Sequence, residues 1–164
     1  MSWSCSRVQD ADLGVWESLL AGTPHTPFFS PTWMEAACRL TGGVPVRLLI
    51  LKGDEPVASA SLHERHGPVG TEILPPPFGV FHAPCWGPGR EGSDLLHGTQ
   101  ALAAWLESNY GASSLTFPPE VTDMRGFLWR SWKARVHYTF RIPLGDAEAN
   151  RRACADDGTY YFIV

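Results

Sequence analysis

The chain has 164 residues, 44% of them hydrophobic and 18% charged, with a formal net charge of −4. That length suits one globular domain, able to bury roughly two thirds of its unfolded surface, so folding requires neither a metal nor a disulfide. The acidic balance, with Arg151-Arg152 as the longest basic cluster, argues against a nucleic-acid partner, because phosphate backbones call for a basic stripe. No run approaches the roughly 20 apolar residues that span a bilayer, and Met1-Ser2-Trp3-Ser4-Cys5 lacks the basic-then-apolar pattern of a secretory signal. A cytoplasmic protein with no membrane partner is expected.

In chain order, 2–8 alternates weakly and reads as a first strand. Asp10 and Asp12 offer caps to a helix carrying Leu13, Trp16, Leu19 and Leu20 on one stripe. A loop over 22–29 ends at Ser30-Pro31, an N-cap residue followed by proline at the first helical position. Trp33, Ala37 and Leu40 are expected to form that helix's buried face, and Gly42-Gly43 to stop it. Strands over 46–51 and 57–64, joined by Lys52-Gly53-Asp54-Glu55-Pro56, read as a hairpin whose nearly continuous apolar run places it centrally in a sheet. A second extended pair is expected over 69–74 and 80–86, with Pro75, Pro76 and Pro77 forbidding regular pairing between them.

Ser93 is read as the cap of a third helix bearing Leu95, Thr99, Leu102 and Leu106, ended by Gly111. A short strand over 115–117 follows, then a short helix capped by Thr122 with Phe127, Leu128 and Trp132. Over 135–142 apolar and polar residues alternate, as in a half-buried strand, and a short helix is expected near 146–154. The order β-α-α-β-β-β-β-α-β-α-β implies a single α/β domain over 1–164, a mixed and mainly antiparallel central sheet flanked by helices.

The motifs are sparse. Gly87-Pro88-Gly89-Arg90-Glu91-Gly92-Ser93 lies between a strand and a helix, where backbone N–H groups can hold a pyrophosphate. It matches no nucleotide-binding fingerprint, and Pro88 removes one donor. His63 and His66, like His82 and Cys85, sit three apart on extended chain and point to opposite faces, which disfavours a shared metal. The four cysteines, Cys5, Cys38, Cys85 and Cys154, include no C-x-x-C pair, and no G-x-S-x-G elbow occurs. A Cys85 thiolate paired with His82 or His137 is conceivable, against the commoner reading of a buried cysteine. Phe28, Phe29, Trp33, Phe78 and Phe81 flank the two proline-rich loops, either anchoring them or lining an apolar ligand groove.

Several segments together resemble the N-terminal domain of FemAB-like members of the GNAT acyltransferase superfamily. They are Thr26-Pro27-Phe28-Phe29-Ser30-Pro31-Thr32-Trp33, the hairpin from Val46 to Ala58, Pro75-Pro76-Pro77-Phe78-Gly79 with Ala83-Pro84, Arg125-Gly126-Phe127-Leu128-Trp129, and Tyr138-Thr139-Phe140-Arg141-Ile142-Pro143-Leu144. The resemblance implies a GNAT-like fold, as the N-terminal half of a two-domain arrangement. It also implies transfer of an acyl group from acyl-CoA, or a similar activated donor, to an amine on a small molecule or peptide. Acyl-CoA would be a co-substrate, with no tightly bound cofactor and no metal.

On that footing Gly87, Gly89, Arg90, Gly92 and Ser93 become donor-binding candidates, although the family's pyrophosphate loop is not reproduced there. Phe28, Phe29, Trp33, Phe78 and Tyr138 become candidates for the acceptor groove. An oxyanion donor would come from a backbone N–H where two strands splay, near 81–86. The general base is Glu72, His82 or a water relay, and the sequence does not choose among them. The alternative function is a non-catalytic or truncated domain of the same fold, acting as an interaction module. Association with a second GNAT-like domain, or with a second copy, suits either reading.

Overall fold

The computed structural model describes residues 2–22, 27–68, 70–77, 79, 81–82, 84–90, 92–118 and 121–136. The chain divides into two compact units, Met1–Ala134 and Arg135–Val164. All elements below belong to the first. The strand expected over 135–142, the helix near 146–154, and the groove candidates Phe78 and Tyr138 lie outside the described residues, apart from Arg135 and an exposed Val136.

Strand β1 (Trp3–Arg7) leads through a short 3-10 turn into helix α1 (Leu13–Ala21). Helix α2 (Pro31–Thr41) follows, then β2 (Val44–Lys52), β3 (Glu55–Gly67) and β4 (Gly70–Ile73). A two-residue strand β5 (Cys85–Trp86) precedes helix α3 (Ser93–Asn109), β6 (Ala112–Ser113) and the single turn α4 (Arg125–Leu128). The sheet order is β1-β2-β3-β4-β6, with β5 also paired to β3. Every pairing is antiparallel except β4 with β6. The architecture is the expected one, a mixed and mostly antiparallel sheet flanked by helices.

Strand β3 is the spine of this sheet. It pairs with β2 from Glu55 to Glu64, and its other edge is shared by β5 at Ala58 and Ser59 and by β4 from Glu64 to Gly67. The two-residue turn at Gly53-Asp54 closes the β2–β3 hairpin, with Gly53 at φ 63°, a backbone angle that favours glycine. Alternation sends Leu48, Ile50, Ala58, Ala60 and Leu62 to one face, where Leu102, Ala103 and Leu106 of α3 cover them. On the other face Leu49 joins Trp16, Leu20, Phe29 and Cys85 beneath α1.

Helix α2 begins with Pro31 after Ser30 and ends at Gly42, whose φ of 69° is the left-handed cap expected of a glycine stop. Its buried side is Met34, Ala37 and Cys38, and Leu40 is 77% exposed. At about 100° per residue, Leu40 lies roughly 110° round from the centre of that stripe. The pairing expected between 69–74 and 80–86 is also corrected. Strand β4 and strand β5 each pair with β3, and not with one another. Ser93 is the first helical residue of α3, after the N-cap Gly92, and the short helix starts after Met124 rather than at Thr122. The regular strand after α3 is at 112–113, three residues ahead of its expected start.

Candidate functional site

The site grows out of the point where β4 stops. Prolines at 75–77 offer no N–H and cannot extend a ladder, so β4 leaves β6 after two paired positions, Glu72 with Ala112 and Ile73 with Ser113. One further bond, from the Ser114 N–H to the Ile73 carbonyl (2.8 Å), carries the pairing on. Beyond it the 114–116 segment takes a different partner, His82.

His82 makes three bonds to that segment. Its N–H donates to the Thr116 carbonyl at 2.9 Å, its ring Nε2 bonds the Ser114 carbonyl at 3.0 Å, and the Thr116 N–H donates to Nδ1 at 3.3 Å. A carbonyl on one nitrogen and an N–H on the other assign the neutral tautomer with the proton on Nε2. The ring is fully buried, and burial lowers its pKa to about 4; the Ser114 carbonyl partly opposes this, while His63 adds to it. His82 is therefore neutral at pH 7, yet its Nδ1 lone pair is already taken by a main-chain donor.

Glu72 stands on β4 at 7% exposure, directly across from Arg65 of β3. Its carboxyl group occupies the space that Gly67 leaves by lacking a side chain; a Cβ at Gly67 would overlap it, with Glu72 Cγ only 2.8 Å away. Glu72 and His82 thus border the same 112–116 segment from its two successive partners. The neighbouring His63, also buried, bonds Thr41 Oγ1 of α2 through Nε2 (2.8 Å), while its Nδ1 has no hydrogen-bond partner among the described residues. Burial again lowers its pKa, opposed by the nearby Leu74 carbonyl and reinforced by Arg65.

The glycine-rich turn does assemble at the start of α3. The Gly87 N–H is engaged by the Val57 carbonyl at 2.9 Å, however, and Gly89 and Gly92 take left-handed φ values of 72° and 54°. Arg90 binds Glu55 at the start of β3 and also Asp94 (3.4 Å), and Asp94 in turn holds Lys52 (2.9 Å). A pyrophosphate at Gly87, Gly89, Arg90, Gly92 and Ser93 would have to compete with these contacts. The one arginine is paired with carboxylates, and Asp94 puts a negative charge in the first turn of α3, where a phosphate would otherwise be favoured.

Of the aromatic groove candidates, Phe28 meets Trp33 edge-on at 5.3 Å between ring centroids and Phe81 at 6.4 Å. Phe29 instead turns into the core beside Trp16. The Trp33 indole N–H is buried without a hydrogen-bond partner among the described residues. Cys85 is buried, and burial pushes its thiol up to about 12, the environment of a structural cysteine and not of a thiolate nucleophile. Among the described residues no cluster of His, Cys, Asp and Glu is arranged for a metal, and no helix is long and apolar enough to cross a membrane.

Two features escaped the sequence reading. The Tyr110 hydroxyl donates to Glu64 (2.6 Å) and accepts from Arg7 (2.7 Å), with Arg7 also bonded to Glu64, so the end of α3 is tied to β1 and β3. A cavity of about 390 Å³ lies along α1 between Gly14, Ser18 and Gly22 on one side and Pro56 and Pro88 on the other. The β1–β2–β3 register puts Arg7 and Glu64 on one face but four residues apart along β2, where Arg7 faces Leu48 and Glu64 faces Val44, so the contact depends on the reach of both side chains and spacing along the chain carries no trace of it.

No family model matches the chain, and no curated protein matches it. Among solved structures it is similar to an apo form of aminoglycoside antibiotic 6'-N-acetyltransferase AAC(6')-IG from Acinetobacter haemolyticus. The identity is 13%, the match covers 85% of this chain and 99% of that one, and the TM-score is 0.40. A likeness of that size carries no argument about the site.

Proposed function

We propose that the chain is a GNAT-type domain of FemAB-like kind, serving the transfer of an acyl group from acyl-CoA to an amine. Its described residues would supply the framework and the acceptor-side wall, not the seat of the donor. Support for the family comes from the sequence segments that resemble it and from a mixed sheet with one parallel pair. The observation that carries the division of labour is the change of partner along 112–116, where β4 departs and His82 takes its place.

Attack of an amine on a thioester needs a neutral amine, a donor for the developing oxyanion, and alignment of the two reactants. At the parting of β4 and β6 the N–H groups of His82, Ser114 and Thr116 are all engaged within the chain, and so, beside β5, is that of Gly87. A donor seated there would have to displace them, and one seated at the start of α3 would have to draw Arg90 and Lys52 away from Glu55 and Asp94. The same engaged donors favour the second reading, a non-catalytic module of this fold. In either case the working assembly would include a second GNAT-like domain or a second copy, in the cytoplasm.

Thermal-shift titration of the purified chain with CoA and acetyl-CoA up to millimolar levels separates the two. A ligand at about 100 times its Kd stabilises by about 2.7 kcal/mol, or roughly 5–10 °C at this size. A saturable rise, larger for acetyl-CoA, would place the donor on this chain and overturn the division of labour. No rise, together with acyl transfer only in an assembly with a second domain, is the expected outcome. No rise and no transfer in any assembly would leave the interaction module.

A further inference from the structure

We propose that His82 is a latch: its neutral imidazole holds the 114–116 segment to the sheet, and protonating or removing the ring releases that segment while the rest of the sheet stays folded. This holds whether or not the chain serves acyl transfer. The segment continues β6 at the end of the sheet, beyond the reach of β4 once Pro75 is passed. Two of the three bonds from residue 82 to the segment come from the ring, to the Ser114 carbonyl and from the Thr116 N–H. The second needs the neutral ring, whereas Nε2–H can donate to the Ser114 carbonyl in either protonation state. A protonated ring carries N–H at each nitrogen, so Nδ1–H would face the Thr116 N–H, donor against donor, with no acceptor between them.

The Ser114 carbonyl favours the added charge, but burial and His63 of β3 oppose it. That side of the sheet also carries Glu72 of β4, Arg65 of β3, and Glu35 and Cys38 of α2. The segment itself brings only the uncharged Ser114 and Thr116. Leu115 of the segment packs, partly buried, against the core under α3, so opening at His82 frees Leu115, while Leu48, Ile50 and Leu62 remain packed with Leu102, Ala103 and Leu106 of α3.

Amide hydrogen exchange across pH 4–7 tests the latch in the full chain, with His82→Gln and His82→Ala beside it. After correction for intrinsic rates, Thr116 protection in the unmodified chain should fall by about tenfold per pH unit between the ordinary histidine value of 6.5 and about 4. Leu48 and Ala60, which open only with the whole sheet, should stay better protected than Thr116 at every pH in this range. Glutamine can both donate and accept, so His82→Gln should hold Thr116 with no such pH dependence. His82→Ala should lose Thr116 protection at every pH. Equal protection at Thr116 and Leu48, or the same profile in His82→Gln as in the unmodified chain, overturns the proposal. Should the variants fail to fold, the ring nitrogen chemical shifts of the unmodified chain still decide, because a proton on Nδ1 at pH 7 is incompatible with the latch.

Discussion

Replacing Gly126 by alanine sets helix propensity against packing, and the structure decides the sign. Gly126 lies in the single turn α4, buried against α3. Propensity alone favours alanine by about 1 kcal/mol in a helix. A Cβ at this position, however, would run into Thr99 Oγ1, with Thr99 Cβ at 2.8 Å and the Gln100 main-chain nitrogen at 3.0 Å. Thr99 cannot simply rotate aside, since its hydroxyl bonds back to the Leu95 and Leu96 carbonyls at 2.8 and 2.9 Å and the residue is 5% exposed. The Gln100 nitrogen belongs to α3 and moves only with the helix. Overpacking of this kind costs about 1–3 kcal/mol, so Gly126→Ala should be destabilising by up to about 2 kcal/mol net, or up to roughly 8 °C in Tm. Thermal unfolding followed by circular dichroism, with urea titration for ΔG, measures it. In a Thr99→Ala background the cost should shrink, because the hydroxyl is gone and only the Cβ contact remains, giving a coupling of opposite sign to the single-mutant costs. A rise in Tm for Gly126→Ala, or an identical cost in both backgrounds, would refute the packing argument.

Two other outcomes follow from named groups. Tyr110→Phe removes the hydroxyl that joins Arg7 to Glu64 and should cost about 1–2 kcal/mol in urea titration, discounted for the exposure of Arg7; a change within error would mean that the triad is solvated and contributes nothing. Acid should weaken the fold through His82 and His63, whose pKa values burial lowers, because the unfolded chain takes up protons first; the stability these rings contribute is full above about pH 6.5 and declines as pH falls, by about 3 kcal/mol for His82 by the time pH nears 4. Urea midpoints that do not move between pH 7 and 4.5 in the unmodified chain, or that move as much in His82→Gln, would contradict it.

The elements most legible in the sequence are those built from local chemistry. Ser30-Pro31 opens α2 and Gly42 closes it because proline and glycine act on their own φ angles. The hairpin of β2 and β3 announces itself through Gly53 and two apolar runs. What failed is what depends on distant partners. Leu40 looks like a core residue by its chemistry, but the sheet selects the stripe through Met34 and Cys38, and the helix leaves Leu40 in solvent. The run from 69 to 86 shows its prolines plainly, yet nothing in it says that both ends would pair with β3.

The candidate site divides along the same line. The turn from Gly87 to Ser93 is correctly placed between a strand and α3 by its own residue types, whereas the engagement of Arg90 by Glu55 and Asp94 depends on bringing the tip of the β2–β3 hairpin alongside, 35 residues away in the chain for Glu55. His82 is the sharper case. As a residue type it suggests proton transfer, and its neutral state at pH 7 is compatible with that. Its two ring nitrogens are instead committed to main-chain groups 32 and 34 residues later, which turns a candidate base into a fastening between segments. Three consecutive prolines explain why a side chain is needed there at all: they take β4 away before the neighbouring segment ends, and the unpaired carbonyl and N–H of 114–116 then require a partner that can both donate and accept. A neutral histidine supplies both from one rigid ring. The chemistry that made His82 conspicuous as a catalyst is thus the chemistry that suits it to close the sheet.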